Sequence, residues 1–342
     1  MLDDLKYIHE RDAQDALGVA EKQWQQLDYD YKVDLKPAGE IRNIILAGMG
    51  GSALPGVFLP SLVKLKVPFE VVRNYDVPNY VGPGTLFISS SYSGNTEETL
   101  SALKEAEKLG AQVITVAAGG KLLEYSKQKN YPIFQIPTGI QPRMSSFYFL
   151  AAFVQLFESL ELTESSSGSL KEAAKWLSEQ SKKWLPTVAT KNNQAKQIAQ
   201  ELMGRTVVVY SGPKLFPAAN KWKICFNENA KNLAWGNQYP EFNHNEFIGW
   251  SSHPTSKPFA VIEIRSSLEH PRVQKRFAVT ERLLSGKRPA PIVVEPEGDN
   301  IVQQILWASM LGDFTSIYLA LLNGLNPTPV DLVEKLKKAL DE

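Results

Sequence analysis

Short runs of β-branched residues alternate with helical stretches along almost the whole chain, and this alternation restricts the fold more than any other feature. In the first half, residues 43–47 (NIILA), 68–73, 85–89, 112–117 and 131–137 predict strands, and residues 53–63, 97–109, 121–128 and 144–160 predict helices. Phe147, Leu150, Val154 and Phe157 recur at three- and four-residue spacing, so the last of these helices carries one apolar stripe. Strands that are apolar nearly throughout, each followed by a helix, belong in a parallel sheet covered on both faces. The pattern resumes with strands at 206–210, 259–264 and 292–295 and helices at 217–229, 271–284, 301–322 and 329–340. Asn326-Pro327-Thr328-Pro329 suits the entry to the final helix, since proline is tolerated in a first turn.

The sharpest break in composition is Thr163-Glu164-Ser165-Ser166-Ser167-Gly168-Ser169, which places a domain junction between residues 162 and 163. The fold class is therefore α/β, with two doubly wound parallel-sheet domains, 1–162 and 163–342, and flanking helices. Residues 12–27 are expected to form an added helix on the outside. The stretch 165–196, with a polar helix bearing Trp176 and Trp184, is expected to be peripheral as well.

Charge excludes several classes of function. Lys and Arg together number 37, as do Asp and Glu, so there is no overall basic field for nucleic acid or an anionic membrane. An anion site must be local. A single cysteine, Cys225, excludes an intramolecular disulfide, and the four histidines are not paired at metal-ligand spacing. No metal is expected. Met1-Leu2-Asp3-Asp4-Leu5-Lys6 lacks the apolar core of a signal peptide. The apolar run 305–325 is interrupted by Ser309, Asp313, Thr315 and Ser316, as suits a buried helix rather than a lipid span. A soluble, cytoplasmic protein is expected. Its seven scattered tryptophans suit core or interface packing better than base stacking. Cys225 is expected to be a small buried hydrophobe, and His9, His253 and His270 show no partner in the sequence.

Two turns after strands carry chemistry. Gly48-Met49-Gly50-Gly51-Ser52 sits between a strand and a helix, where glycines admit a ligand and the helix start offers N–H donors. It also fits a plain tight turn. As a dinucleotide turn it lacks a third glycine at the expected spacing, and Arg73-Asn74-Tyr75 ends the next strand without a clean acidic residue. In Ser90-Ser91-Tyr92-Ser93-Gly94-Asn95-Thr96, Ser91, Ser93 and Thr96 place three hydroxyls where a strand hands over to a helix. A phosphate monoester needs many short hydrogen bonds of this kind. A simple helix cap by Thr96 or Asn95 is the other reading.

The second half offers acid–base groups. Glu228 falls in a helix among Trp222, Ile224, Cys225 and Phe226, surroundings that suit a general base. An exposed helical glutamate fits the sequence equally. His244 lies in Pro240-Glu241-Phe242-Asn243-His244-Asn245-Glu246, which reads as loop. Arg143, in Gln141-Pro142-Arg143-Met144, fits either an anion-stabilising role or a surface ion pair.

Gly50-Gly51-Ser52 with Ser91-Tyr92-Ser93-Gly94-Asn95-Thr96 resembles the sugar-phosphate-binding pattern of the sugar isomerase (SIS) superfamily. Asn227-Glu228-Asn229-Ala230-Lys231 with residues 240–246 resembles the bifunctional phosphoglucose/phosphomannose isomerase family. This resemblance implies that both domains are of SIS type and that Ser52, Ser91, Ser93 and Thr96 hold a sugar 6-phosphate. It implies Glu228 as the base between C1 and C2, and His244 as the ring-opening residue reaching the site from the neighbouring subunit of a homodimer. Arg143 would stabilise a cis-enediolate. Thr328 would lie beside the sugar, and Lys335, seven residues on, near the ring oxygen; Lys338 is the competing choice. The implied substrates are hexose 6-phosphates, with no cofactor. A non-catalytic sugar-phosphate sensor, an isomerase of amino-sugar or pentose phosphates, and a dinucleotide-dependent oxidoreductase are the alternatives.

Overall fold

The computed structural model describes residues 1–33, 35, 39–164, 166–252 and 258–340. Two short helices open the chain, α1 (Leu5–Arg11) and α2 (Ala16–Glu21). The side chain of Asp4 caps α1, and buried Asp12 accepts from the amides of Ala16 and Leu17 at the start of α2. Short polar residues at helix starts satisfy N–H groups that have no intrahelical partner.

Two compact units follow from the contacts, Lys22–Trp176 and a second one made of Met1–Glu21 with Leu177–Glu342. The first contains β1 (Asn43–Ala47), α3 (Gly50–Leu62), β2 (Phe69–Val72), β3 (Thr85–Ser91), α4 (Glu97–Lys108), β4 (Gln112–Ala117), α5 (Gly120–Lys129), β5 (Ile133–Gln135) and α6 (Ser146–Ser159). Helix α7 (Ser167–Gln180) begins in it. The five strands are parallel in the order β2-β1-β3-β4-β5. Ile45, Phe87, Leu103 and Leu122 pack in one core cluster, and α3 packs against α6. Strand β3 is buried along its whole length and runs to Ser91, so the first serines of the loop belong to the sheet.

The second unit contains α8 (Gln194–Leu202), β6 (Thr206–Ser211), α9 (Phe216–Glu228), β7 (Ala234–Gln238), α10 (Glu246–Gly249), β8 (Phe259–Ile264), α11 (Pro271–Leu283), β9 (Ile292–Val294), α12 (Ile301–Leu322) and α13 (Asp331–Leu340). Its sheet is parallel, in the order β7-β6-β8-β9. Helix α12 is long and apolar enough to cross a membrane, yet it is enclosed by α2, α8 and α9 and buried from Gln304 to Leu322. A helix apolar on every side is the central helix of a core, and its sequence shows no single stripe.

Several expectations are corrected. Residues 12–27 are not one outer helix: they form α2 and part of a 3₁₀ turn, Gln23–Asp28, with Ala16, Leu17, Ala20 and Leu27 buried. The Tyr7 hydroxyl donates to the Leu321 carbonyl (2.6 Å), which holds the N-terminal helices in the second unit. The units therefore do not meet at 162/163. The polar run lies inside the first unit, tied down where Thr163 Oγ1 donates to the Lys64 carbonyl (3.0 Å) and Glu158 accepts from the Ser167 amide (2.6 Å). Ser165, within that run, lies outside the described residues. Nor is 165–196 peripheral. Trp184 is buried against Trp307 and Phe314, and the fully buried Lys196 ammonium donates to the carbonyls of Pro186 and Val188 (both 2.8 Å). Strand β7 was missed because AWGNQ has weak strand propensity and forms the sheet edge.

Helix α9 packs on α12 so closely that the Trp222 indole N–H donates to the Ala308 carbonyl (2.6 Å). A Cβ on Gly312 would stand 2.4 Å from that indole ring. Helix propensity alone would favour Gly312→Ala by about 1 kcal/mol, whereas overpacking against a rigid buried ring costs about 1–3 kcal/mol. Steric overlap should win, so urea denaturation is expected to show Gly312→Ala less stable than wild type.

Candidate active site

In the first unit the chain after β1 and the chain after β3 are locked together at the carboxyl ends of their strands. The Ser90 hydroxyl donates to the Ser52 carbonyl (2.8 Å), and the Ser52 hydroxyl accepts from the Tyr92 amide (2.9 Å). Gly50 opens α3 at φ +47°, and Gly51 follows against the 3₁₀ turn Pro142–Met144. A Cβ on Gly51 would lie 2.9 Å from the Arg143 amide nitrogen and the Pro142 carbonyl, so only glycine lets that turn approach. Arg143 is 2% exposed, which rules out a surface ion pair, and its Nη1 donates to Gln141 Oε1 (3.4 Å).

Two hydroxyls of the second loop, those of Ser91 and Thr96, meet. Ser91 Oγ is 2.8 Å from Thr96 Oγ1 and accepts from the Gly94 amide (3.1 Å). Gly94 takes φ +67°, and a Cβ there would collide with the Gly119 carbonyl. Thr96 is the N-cap residue of α4, yet its side chain makes no capping bond. The simple cap reading therefore fails. Hydroxyls and the start of a helix converge where an anion is best accommodated. Ser93 is exposed at the rim, accepting from the Asn95 amide (3.2 Å).

The same topological place in the second unit is filled from within. Strand β6 has a neighbour on each side, as β1 does. The loop after β8 sends the buried carboxylate of Glu269 to the Lys214 amide (2.7 Å), in the 3₁₀ turn leading into α9. A side chain thus occupies donors that an external anion would need.

Helix α9 ends at Glu228, which is half-buried. The residues on its inner face grip α12 through a polar ladder at helical spacing. Fully buried Lys221 pairs with Asp313 (3.0 Å), the Cys225 thiol donates to the same carboxylate (3.0 Å), and Asn229 Nδ2 donates to Ser316 Oγ (2.9 Å). Cys225 is therefore more than an apolar filler. Beyond the helix, Lys231 adopts φ +49° and its ammonium donates to the carbonyls of Asn229 (3.2 Å), Asn326 (2.9 Å) and Pro327 (3.0 Å). The turn after Glu228 and the turn before Thr328 are thereby joined.

His244 ends a 3₁₀ turn after β7 and is exposed. Its neighbours are anchored on both sides. Asn243 donates to Thr280 Oγ1 (3.0 Å) and accepts from Arg276 (3.1 Å), while Glu246 accepts from the Tyr210 hydroxyl (2.7 Å) and Asn237 (2.5 Å). Burial, and then the bond to Glu246, push the Tyr210 phenol far above its ordinary range, so it remains a donor. Lys335 is exposed on α13. Among the described residues, neither His244 nor Lys335 is drawn into the two hydrogen-bonded groups. His270 has a role after all, accepting from the Arg272 amide (3.1 Å) as the cap of α11; His9 is exposed, and His253 lies outside the described residues. Sequence reading missed Lys231 and the Asp313 ladder. A lone acid in an otherwise apolar helix was the available signal, since a buried charge needs a partner.

The chain as a whole is similar to known proteins. Residues 191–340 match the family described as the bacterial phospho-glucose isomerase C-terminal SIS domain. Over 311 residues the chain is 35% identical to a bifunctional phosphoglucose/phosphomannose isomerase of Caldicellulosiruptor bescii, covering 89% of this chain and 91% of that one. The chain belongs to the bifunctional phosphoglucose/phosphomannose isomerase family. Another protein of that name, from Aquifex aeolicus, is 33% identical over 94% of this chain and 97% of its own. A D-glucosamine-6-phosphate 4-epimerase of Sulfolobus acidocaldarius is 29% identical over 89% of this chain and 91% of its own. The crystal structure of a glucose-6-phosphate isomerase like protein from Thermus thermophilus shares the fold, with a TM-score of 0.66, 18% identity and 98% of each chain covered. In this member of the isomerase family, both sheets are the parallel α/β type expected, and the hydroxyl-rich loops belong to the first.

Burial raises the Glu269 carboxyl above its usual range, against the backbone N–H groups that lower it. The folded state thus holds this proton to higher pH than the unfolded chain does. Stability should fall as pH rises from the unfolded glutamate value through the raised folded one. Urea titrations across that range should show a flatter dependence for Glu269→Gln than for wild type.

Proposed function

We propose that this chain interconverts glucose 6-phosphate and mannose 6-phosphate with fructose 6-phosphate through a cis-enediolate. The observation that carries this is the pairing of Ser91 with Thr96 at the start of α4, which has no side-chain cap, in a loop held to Ser52 through the Tyr92 amide, in a member of this isomerase family. Gly50, Gly51, Ser52, Ser91, Ser93 and Thr96 are assigned to the phosphate. Pinning that end supplies orientation, worth several kcal/mol when the reacting atoms are well placed.

Glu228 is assigned as the base. It takes the proton from C2 of the open-chain aldose, the C–H electrons form the C1=C2 bond, and the carbonyl electrons move onto O1. Returning a proton to C1 and shifting one from O2 to O1 gives the ketose. Arg143 is assigned to the developing negative charge. His244 and Lys335 are assigned to ring opening, and Thr328, a small side chain, to the wall that accepts either configuration at C2.

A homodimer accounts for two exposed features. His244 projects between anchored neighbours, and α13 shows Leu332, Leu336 and Leu340 to solvent on one stripe. Contiguous apolar surface of this kind belongs against a partner. In this reading His244 completes the site of the second subunit. Phosphorylated sugars do not cross membranes unaided, so the cytoplasm is the proposed compartment.

Glu228→Gln should leave hexitol 6-phosphate binding near the wild-type value while isomerisation falls about 10²–10⁴-fold on both aldose phosphates. Activity kept within a factor of about three would remove Glu228 from this role. Binding without turnover by the wild-type protein would favour a sensor, and turnover of glucosamine 6-phosphate alone would favour the chemistry named for the epimerase relative. Subunit crossing has its own assay. Mixing inactive Glu228→Gln and His244→Ala proteins under exchange conditions should restore about a quarter of wild-type activity, because half of the dimers are mixed and each has one intact site. No recovery would place both residues in one subunit.

A further inference from the structure

We infer that Lys231 is a positioning residue for this reaction, setting the spacing between Glu228 and Thr328 and with it the balance between the two C2 epimers; this rests on the function proposed above. The Lys231 ammonium has three protons and meets three carbonyl oxygens, those of Asn229, Asn326 and Pro327. One acceptor follows the last residue of α9, Glu228, and two directly precede Thr328. The Asn326 side chain closes the second turn by accepting from the Thr328 amide (3.0 Å), so moving the Asn326 backbone moves Thr328.

The backbone at Lys231 is in the left-handed region at φ +49°, a conformation disfavoured for a residue with a side chain by roughly 1–2 kcal/mol. That conformation carries the chain sharply away from α9 while the side chain returns to the helix end. A cation beside the carboxyl end of a helix is electrostatically favoured, and charge-assisted bonds are about twice as strong as neutral ones. Upstream, the Asp313 ladder fixes α9 on α12. Lys231 is thus the link from the fixed base to the wall of the sugar site. The C2 hydroxyl points in opposite senses in the two aldoses, so a shift of that wall affects them unequally. Misplacement by about 1 Å can cost about 10²-fold in rate.

The test measures kcat and KM of wild type, Lys231→Met and Lys231→Arg on glucose 6-phosphate and mannose 6-phosphate, with hexitol 6-phosphate as a competitive binding probe and urea denaturation to measure folding. Lys231→Met should lower kcat about tenfold or more and change the mannose-to-glucose ratio of kcat/KM at least about threefold, with probe affinity kept within about twofold. Lys231→Arg retains charge and donors but not their geometry, so it should recover part of the rate and part of the ratio. If Lys231→Met does not fold, the ratio in Lys231→Arg decides alone. An unchanged ratio, or losses equal to the fraction unfolded, would overturn the positioning role. Wild-type protein inactive on both sugars would instead overturn the isomerase proposal itself.

Discussion

The exchange of hydrogen bonds between Ser52 and the Ser90–Tyr92 segment is the constraint on which the rest of the site depends. It fixes the ends of β1 and β3 relative to each other. Neighbouring parallel strands already place their carboxyl ends side by side, and an α/β sheet binds ligands there. These two bonds turn that general tendency into a defined surface. Ser91 and Thr96 then satisfy each other, and the start of α4 is left without a side-chain cap. Glycine at position 51 lets the backbone of the Pro142–Arg143 turn approach the start of α3, and the Arg143 side chain is buried there.

The second unit uses similar topology for a different purpose. The corresponding position there is taken by Glu269, and the residues proposed for acid–base chemistry lie on the helices and turns around this sheet. The Lys221–Asp313 pair is fully buried, and burying both charges costs several kcal/mol before their attraction is counted. Such a pair adds little net stability over an apolar core. What it does add is register: with Cys225 and Asn229 it sets how α9 seats on α12, and therefore where Glu228 emerges. Lys231 extends this order to the turn before Thr328.

The sheets were legible in sequence because parallel strands are apolar along their length and their helices keep 3.6-residue periodicity. β1, β4 and β8 match their predicted bounds, and β3 extends two residues further. β7 was hidden because an edge strand with glycine and asparagine carries neither signal. The positions of α2 and α7 were misjudged for another reason. Their polar surfaces look peripheral, while a few small apolar residues per turn decide burial. In the site, hydroxyl density at 91–96 marked a candidate anion loop, and composition alone could not distinguish a side-chain cap from another arrangement of these hydroxyls. Thr96 turning to Ser91 does so. Lys231 was invisible as a functional residue because its partners are backbone carbonyls distant in sequence, which no side-chain pattern reveals.

The most direct measurement of the proposed proton transfer is deuterium uptake while glucose 6-phosphate equilibrates with fructose 6-phosphate in D₂O. A carboxylate that carries the proton between C1 and C2 exchanges it with solvent. Wild-type protein is therefore expected to leave deuterium on carbon, and Glu228→Gln to leave none in the same time. Full retention of carbon-bound protium by an active wild-type protein through many turnovers would mean direct hydride transfer within the sugar, and would contradict a base at Glu228.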